Sequence, residues 1–172
     1  MLKSFCVALA ILGLGAAPAA ADPPSPARTF AARIVERLNT GNARFSVPET
    51  AAWYDPVFLR LFHDNLTLAS ALHTDSLMDT NPICGCSDAG GVYRLVSVTP
   101  RPGGTAWARV DARYEGQDDQ YVIVLRVARQ AGGWRIHDVI SGGHSIRGFL
   151  TTHVACLRAA HTESAAELCS AP

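Results

Sequence analysis

Lysine is all but missing from this sequence. Lys3 is the single lysine in 172 residues, and every other basic side chain is arginine. Beyond Lys3 that excludes a mechanism built on a lysine nucleophile or Schiff base. Charge of one sign is missing too, since 15 basic side chains face 15 acidic ones. Phosphate binding calls for a basic excess, so the composition speaks against nucleic acid as a partner. No apolar run reaches the 18 or so residues that a membrane-spanning helix needs. There is no Cys-x-x-Cys, no second Cys-x-Cys and no His-x-x-x-His. Neither a Gly-x-Ser-x-Gly nucleophile turn nor a phosphate loop occurs. No metal site and no cofactor follows from the motifs. Charged residues are only 17 % against 48 % apolar, which excludes a disordered chain.

Part of that apolar share sits at the N-terminus. Met1-Leu2-Lys3 is a short basic start, Phe5 to Leu14 is apolar, Pro18 breaks the run, and Ala19-Ala20-Ala21 is a small-x-small site before Asp22. These are the parts of a secretory signal peptide, with cleavage expected near Ala21. The run is short for a membrane anchor, and Cys6 does not follow a lipobox. The sequence therefore predicts a periplasmic or secreted protein with no stable membrane span after cleavage. The mature chain would carry 14 basic and 15 acidic side chains, a net charge of −1.

Cysteine usage fits an oxidising compartment. Cys84, Cys86, Cys156 and Cys169 remain after cleavage, an even number. Cys156 with Cys169 would close a short loop worth about 3 kcal/mol. Cys84 and Cys86 then pair across Gly85 or stay reduced, and crossed pairing between the two sets is the alternative. A Cys-x-Cys pair can also exchange disulfides or bind a soft metal. Structural disulfides are the expectation.

The remaining pattern predicts an α+β domain: helices, then an antiparallel meander of about four strands, then a helix. Residues 1–21 are the signal peptide, 22–28 a Pro-rich flexible lead-in, and 29–172 one domain. Thr29 to Leu38 has helical spacing, Ser46 and Pro48 look like a helix start, and Asp55-Pro56 is an N-cap and N1 pair. The latter opens a helix whose apolar side is read as Val57, Leu61, Phe62, Leu66 and Leu68 to Leu72. Residues 74–91 read as a loop. Strand-like runs cover Val92–Thr99, Thr105–Tyr114, Tyr121–Arg129 and Trp134–Ile140, joined by short turns. Ser145 caps a further helix, and Ser164 with Glu167 forms a capping box for a last turn.

Pairing Arg129 with Trp134 puts Ile123, Leu125, Val127, Trp134, Ile136 and Ile140 on one face, with Asp138 among them. The other face would carry Arg126, His137 and Val139. A carboxylate in a core needs partners or a raised pKa. Asp138 is therefore either a structural acceptor for backbone N–H groups near Ser145 or an Arg, or a pocket acid or base. Arg109 and Asp111 share its face if the 115–119 turn keeps parity; a bulge would send them outward. His63 and Asp64 are read as helix surface, and His144 as a local hydrogen-bonding residue.

Two segments carry a family resemblance. Asn81-Pro82-Ile83-Cys84-Gly85-Cys86-Ser87-Asp88 resembles an Asp-Pro-Ile-Cys-x-Cys-Gln-Asp motif. Trp134-Arg135-Ile136-His137-Asp138-Val139, followed by Ser145-Ile146-Arg147 and Leu150, resembles a Trp-x-Ile-x-Asp-Ile…Ser-Leu-Arg-x-x-Leu ending. Both are similar to a domain-of-unknown-function family of exported bacterial proteins. That family looks like the cone-shaped, nuclear-transport-factor-two-like superfold, which also holds ketosteroid isomerases and polyketide cyclases. Asn81 and Ser87 depart from its motif. The resemblance implies a pocket at the open end of a curved sheet and singles out Tyr54, Asp88, Asp138 and Arg147. Each also has a structural role open to it: core packing for Tyr54, a turn cap for Asp88, neutralising Asp138 for Arg147.

The leading expectation is a non-catalytic module binding an unknown small molecule or envelope protein. One alternative is an immunity or inhibitor protein against a periplasm-delivered toxin. The other is an isomerase- or cyclase-like enzyme using Asp138.

Overall fold

The structure is a computed structural model, and it describes residues 25–40, 52–78, 80–83, 91–114 and 120–170. The signal-peptide region, Ser46, Pro48, Cys84, Cys86 and Asp88 lie outside the described residues.

Helix α1 spans Pro26–Asn39 and α2 spans Pro56–Ala71. Both begin with the same device. Ser25 Oγ accepts from Arg28 N, Asp55 Oδ1 accepts from Phe58 N, and a proline follows each cap at N1. This cap starts α1 at Pro26, so three residues of the expected lead-in are helical. The strands are β1 (Gly91–Arg101), β2 (Thr105–Tyr114), β3 (Gln120–Gln130), β4 (Gly133–Ser141) and the two-residue β5 (His144–Ser145). Then come α3 (Ile146–Ala159), α4 (Glu163–Glu167) and a 3-10 turn at Leu168–Ser170. The cap of α4 is Thr162, not Ser164: its hydroxyl accepts from Ala165 N.

The strands form one antiparallel sheet in sequence order. Gly103 and Gly104, at φ of 73° and 70°, make the β1–β2 turn in a region where a side chain would be strained. One sheet face is Tyr93, Ala106, Ala108, Val110, Ala112, Ile123, Leu125, Val127, Ile136 and Val139, all buried. Phe30, Ile34 and Leu38 of α1, Phe58 and Phe62 of α2, and Leu150 of α3 belong to the same core cluster. The alanines of β2 leave room for α1 to lie close. On α2 the buried stripe is Phe58, Phe62, Asn65 and Ala69, one residue round from the expected one, and Val57 is exposed. Asn65 tolerates burial because its amide donates to Met78 O at 2.7 Å and accepts from Leu77 N at 3.0 Å, pinning the following loop.

Strand β4 departs from the expected faces. Arg129 pairs with Trp134 as expected and Val127 with Ile136, but Arg126 then pairs with Asp138. His137 is the extra residue of a β-bulge. Parity inverts beyond it, so Val139 enters the core opposite Leu125 and Ile140 lies opposite Val124. Asp138 does not stand among the core side chains. It lies on the other face, beside Arg126. In β2, Arg109 and Asp111 oppose Val124 and Val122, on that same outer face. The three residues do share a face, but the non-core one.

Candidate functional site

Two regions gather polar side chains. The first is at the outer edge of β4. Trp53 to Asp55 runs alongside it: Ile136 N donates to Trp53 O, Asp55 N donates to Ile136 O, and Tyr54 bridges Ile136 in parallel. Strand β5 covers the same edge further on, at Ile140 and Ser141. The bulge at His137 falls in the gap between these covers, which lets its ring meet Asp55.

Asp55 is 3 % exposed. While Oδ1 caps α2, Oδ2 lies 2.8 Å from His137 Nδ1 and 2.9 Å from Arg147 Nη1. Arg147 Nη1 also donates to His137 O at 2.9 Å. His137 Nδ1 lies 2.8 Å from both Asp55 Oδ2 and Arg147 Nη1, donating to the carboxylate in one tautomer and accepting from the guanidinium in the other, on a half-exposed ring. Asp138 is the neighbouring carboxylate. It accepts from Ser145 Oγ at 2.9 and 3.0 Å and from Arg147 N at 3.1 Å, and Arg126 Nη1 stands 3.5 Å away. Ser145 Oγ in turn accepts from Gly148 N and so caps α3. Arg147 does not neutralise Asp138 through its side chain; its guanidinium goes to Asp55. This cluster ties together α2, the β4 bulge and the start of α3.

The second region is the outer face of the sheet. Among the described residues no helix packs on it. Trp107 is 39 % exposed, Val122 37 % and Val92 71 %. Arg94, Arg101, Arg109 and Arg113 are exposed there, and Arg126 is partly so. Asp111 is nearly buried beneath two of them, 2.8 Å from Arg94 Nη2 and 3.5 Å from Arg109 Nε. Arg101 lies over the Trp107 ring with Cζ 4.2 Å from its centroid, and Arg126 with Cζ at 5.1 Å. A near-neutral chain thus carries five arginines and two aspartates on one sheet face.

The other expected residues fall elsewhere. Tyr54 is fully buried in the core, edge-on to Phe58, with its hydroxyl 3.3 Å from Asn81 Oδ1. Burial holds its pKa well above the ordinary tyrosine value. Tyr93, Tyr114 and Tyr121 form an aromatic row at one end of the core face, and burial pushes Tyr93 up to about 12. His63 is exposed, whereas Asp64 pairs with Arg158 across α2 and α3. His144 stacks on Phe149. Cys156 and Cys169 are bonded. A groove of about 1050 Å³ runs between α1 and the β3–β4 turn, lined by Arg33, Arg37, Trp53, Trp134 and Arg135. Thr40 and Ala52, which flank the segment 41–51 outside the described residues, line it too. Among the described residues no group of three or more His, Cys, Asp or Glu could hold a metal ion. No described helix is long and apolar enough to cross a membrane.

The sequence reading missed the pairing of Asp55 with His137 and Arg147, and the stacked arginines on Trp107. Asp55 announced itself only as a helix cap. Arg101 directly precedes the turn marked by Gly103 and Gly104, and Trp107 follows it by three residues, which was the one signal that could have placed them together.

The chain matches no protein-family model and no curated protein. Among solved structures, a phospholipid-binding protein from Ralstonia solanacearum, determined with a phospholipid bound, overlaps 79 % of this chain and 68 % of its own. The identity is 8 % and the TM-score 0.39, too loose an overlap to carry a functional reading.

Proposed function

We propose that this chain is an exported, single-domain binding module of the cell envelope, working through the bare face of its sheet rather than by catalysis. One observation carries the reading: a four-strand face bearing Trp107, exposed valines and five arginines has no described element packed on it. Arg and Trp are the residues that concentrate binding energy at interfaces. The signal-like N-terminus and the Cys156–Cys169 bridge support export, because such bridges persist in oxidising compartments. The order of helices, meander and helix, with helical cover on one side only, supports the cone-like class that the two motifs suggest. Asp138 has its acceptor positions taken up by Ser145, Arg147 and Arg126, which supports a structural role for it over that of a general base.

The test is site-specific photo-crosslinking in the native cells, with the reactive side chain at Val122 on the bare face or at Arg60 on α2. A discrete adduct from position 122 and none from 60 is expected. Absence of an adduct at 122 overturns the reading. So does turnover of a substrate that His137→Gln or Asp138→Asn abolishes in a folded protein.

A further inference from the structure

We infer that Arg101, Trp107 and Arg126 form a clamp for carboxylates, and that its occupant is an acidic segment of a partner protein. This rests on the bare face being the binding surface and goes on to say what it binds. Two guanidiniums share one indole, with Cζ atoms 4.2 and 5.1 Å from its centroid. Stacking fixes the plane of each guanidinium; exposed Arg101 can offer the two-pronged edge that a carboxylate matches, while Arg126, its Nε buried and its Nη1 beside Asp138, offers the exposed remainder of its guanidinium. The ring thereby holds two like charges within 5.1 Å of one centroid, an arrangement that favours a counter-anion.

The acids already on the face supply it only in part. Asp138 pairs with Arg126 Nη1 at 3.5 Å while also accepting from Ser145 Oγ and Arg147 N, and Arg101 forms no ion pair among the described residues. Asp111 is held by Arg94 and Arg109. Arg126 Nε is buried and has no partner among the described residues. Among the described residues of the face, five arginines stand against two aspartates, in a chain whose total charge is neutral.

Shape and chemistry favour a protein over a lipid surface. Four strands of nine to eleven residues span roughly 15 by 30 Å, about the scale of one side of a small protein interface. Surface attachment to anionic lipid relies on clustered basic charge together with an apolar helix face or chain that enters the bilayer. Here Trp107 lies under Arg101 near the β1–β2 turn, and the exposed valines of the face belong to a sheet.

The probe is a fluorescent decapeptide of alternating Glu and Gly, titrated into the full exported chain at low ionic strength. Binding that weakens with added salt is expected. Arg101→Gln with Arg126→Gln should weaken it about tenfold, and Trp107→Leu comparably, while Arg60→Gln leaves it unchanged. Arg126→Gln also loosens Asp138, so Arg101→Gln alone, at the exposed end of β1, must weaken binding with the melting curve unmoved. Failure to bind the peptide, or equal binding by the clamp variants, overturns the inference. Tighter binding of phosphatidylglycerol vesicles or of a single-stranded oligonucleotide at matched charge overturns it as well. If the crosslink at position 122 persists while the peptide fails, the bare face still binds and only its acidic occupant is wrong. Loss of both removes the face as a binding surface.

Discussion

Asp55 shows how much one buried carboxylate can hold. Its two oxygens serve separate tasks: Oδ1 satisfies an orphan N–H at the start of α2, and Oδ2 joins His137 and Arg147. The residue therefore links the start of α2, the β4 bulge and the start of α3 through one carboxylate. The tasks can be separated by substitution. Asparagine keeps an acceptor for Phe58 N but removes the charge, whereas alanine removes both. Asp55→Ala is expected to destabilise by about 4 kcal/mol, since it removes a cap and leaves Arg147 without its carboxylate. Asp55→Asn should lose about half as much. Urea midpoints of the two variants measure the difference, and equal losses would mean that the cap contributes nothing.

Element by element, two bulges and the side-chain amides of Asn39 and Asn65 shape the fold. Strand β1 is an edge, and an open edge invites pairing with another chain. Asn39, at the end of α1, occupies part of it. Its Nδ2 donates to Tyr93 O at 2.9 Å and its Oδ1 accepts from Tyr93 N at 2.8 Å, as a neighbouring strand would. Further along, the register slips between Leu95 and Ser97, and Pro100 removes a donor. Asn39→Leu is expected to cost about 2 kcal/mol by leaving two backbone groups without partners. It should also raise the sedimentation coefficient with concentration. A variant that stays monomeric and as stable as the parent would show that the amide protects nothing. The same elements mark how far the sequence could be read. Turn glycines and alternation placed the four long strands to within two residues, because those signals are local. The faces of β4 were legible only as far as Ile136. The bulge adds a single polar residue, and His137 looks no different from an ordinary outward side chain. Unbroken alternation puts Asp138 in the core, whereas the bulge sets it beside Arg126. Asp55 with His137 and Asn39 with Tyr93 lie 82 and 54 residues apart, so no local pattern carries them.

On the scale of the molecule, apolar burial is divided unequally. The large cluster joins α1, α2, α3 and the sheet, while a small one holds Ala69, Leu157 and Ala166, with Leu68, Leu72, Ala160 and Cys169 against it. The small cluster is all that α4 and the last turn pack into. Its burial is modest: two of its three central side chains are alanines, and little apolar area leaves water there. What secures this corner is the Cys156–Cys169 bond, which closes a loop with a sequence separation of 13, together with the bond between His153 Nδ1 and Cys169 O. A loop of that length contributes about 3 kcal/mol by restricting the unfolded chain. Stability is not spread evenly through a fold, and a segment held by one covalent link and few contacts opens first when the link is cut. Reduction with dithiothreitol should thus free the C-terminal corner before it affects the sheet. In hydrogen exchange, the Ala166 amide, which donates to Thr162 O at 3.0 Å, should lose its protection. The amides of Val110 and Leu125 in the central strands should keep theirs. If all three became exchangeable together on reduction, the corner and the sheet would be one cooperative unit, and the bond would stabilise the whole protein rather than its end.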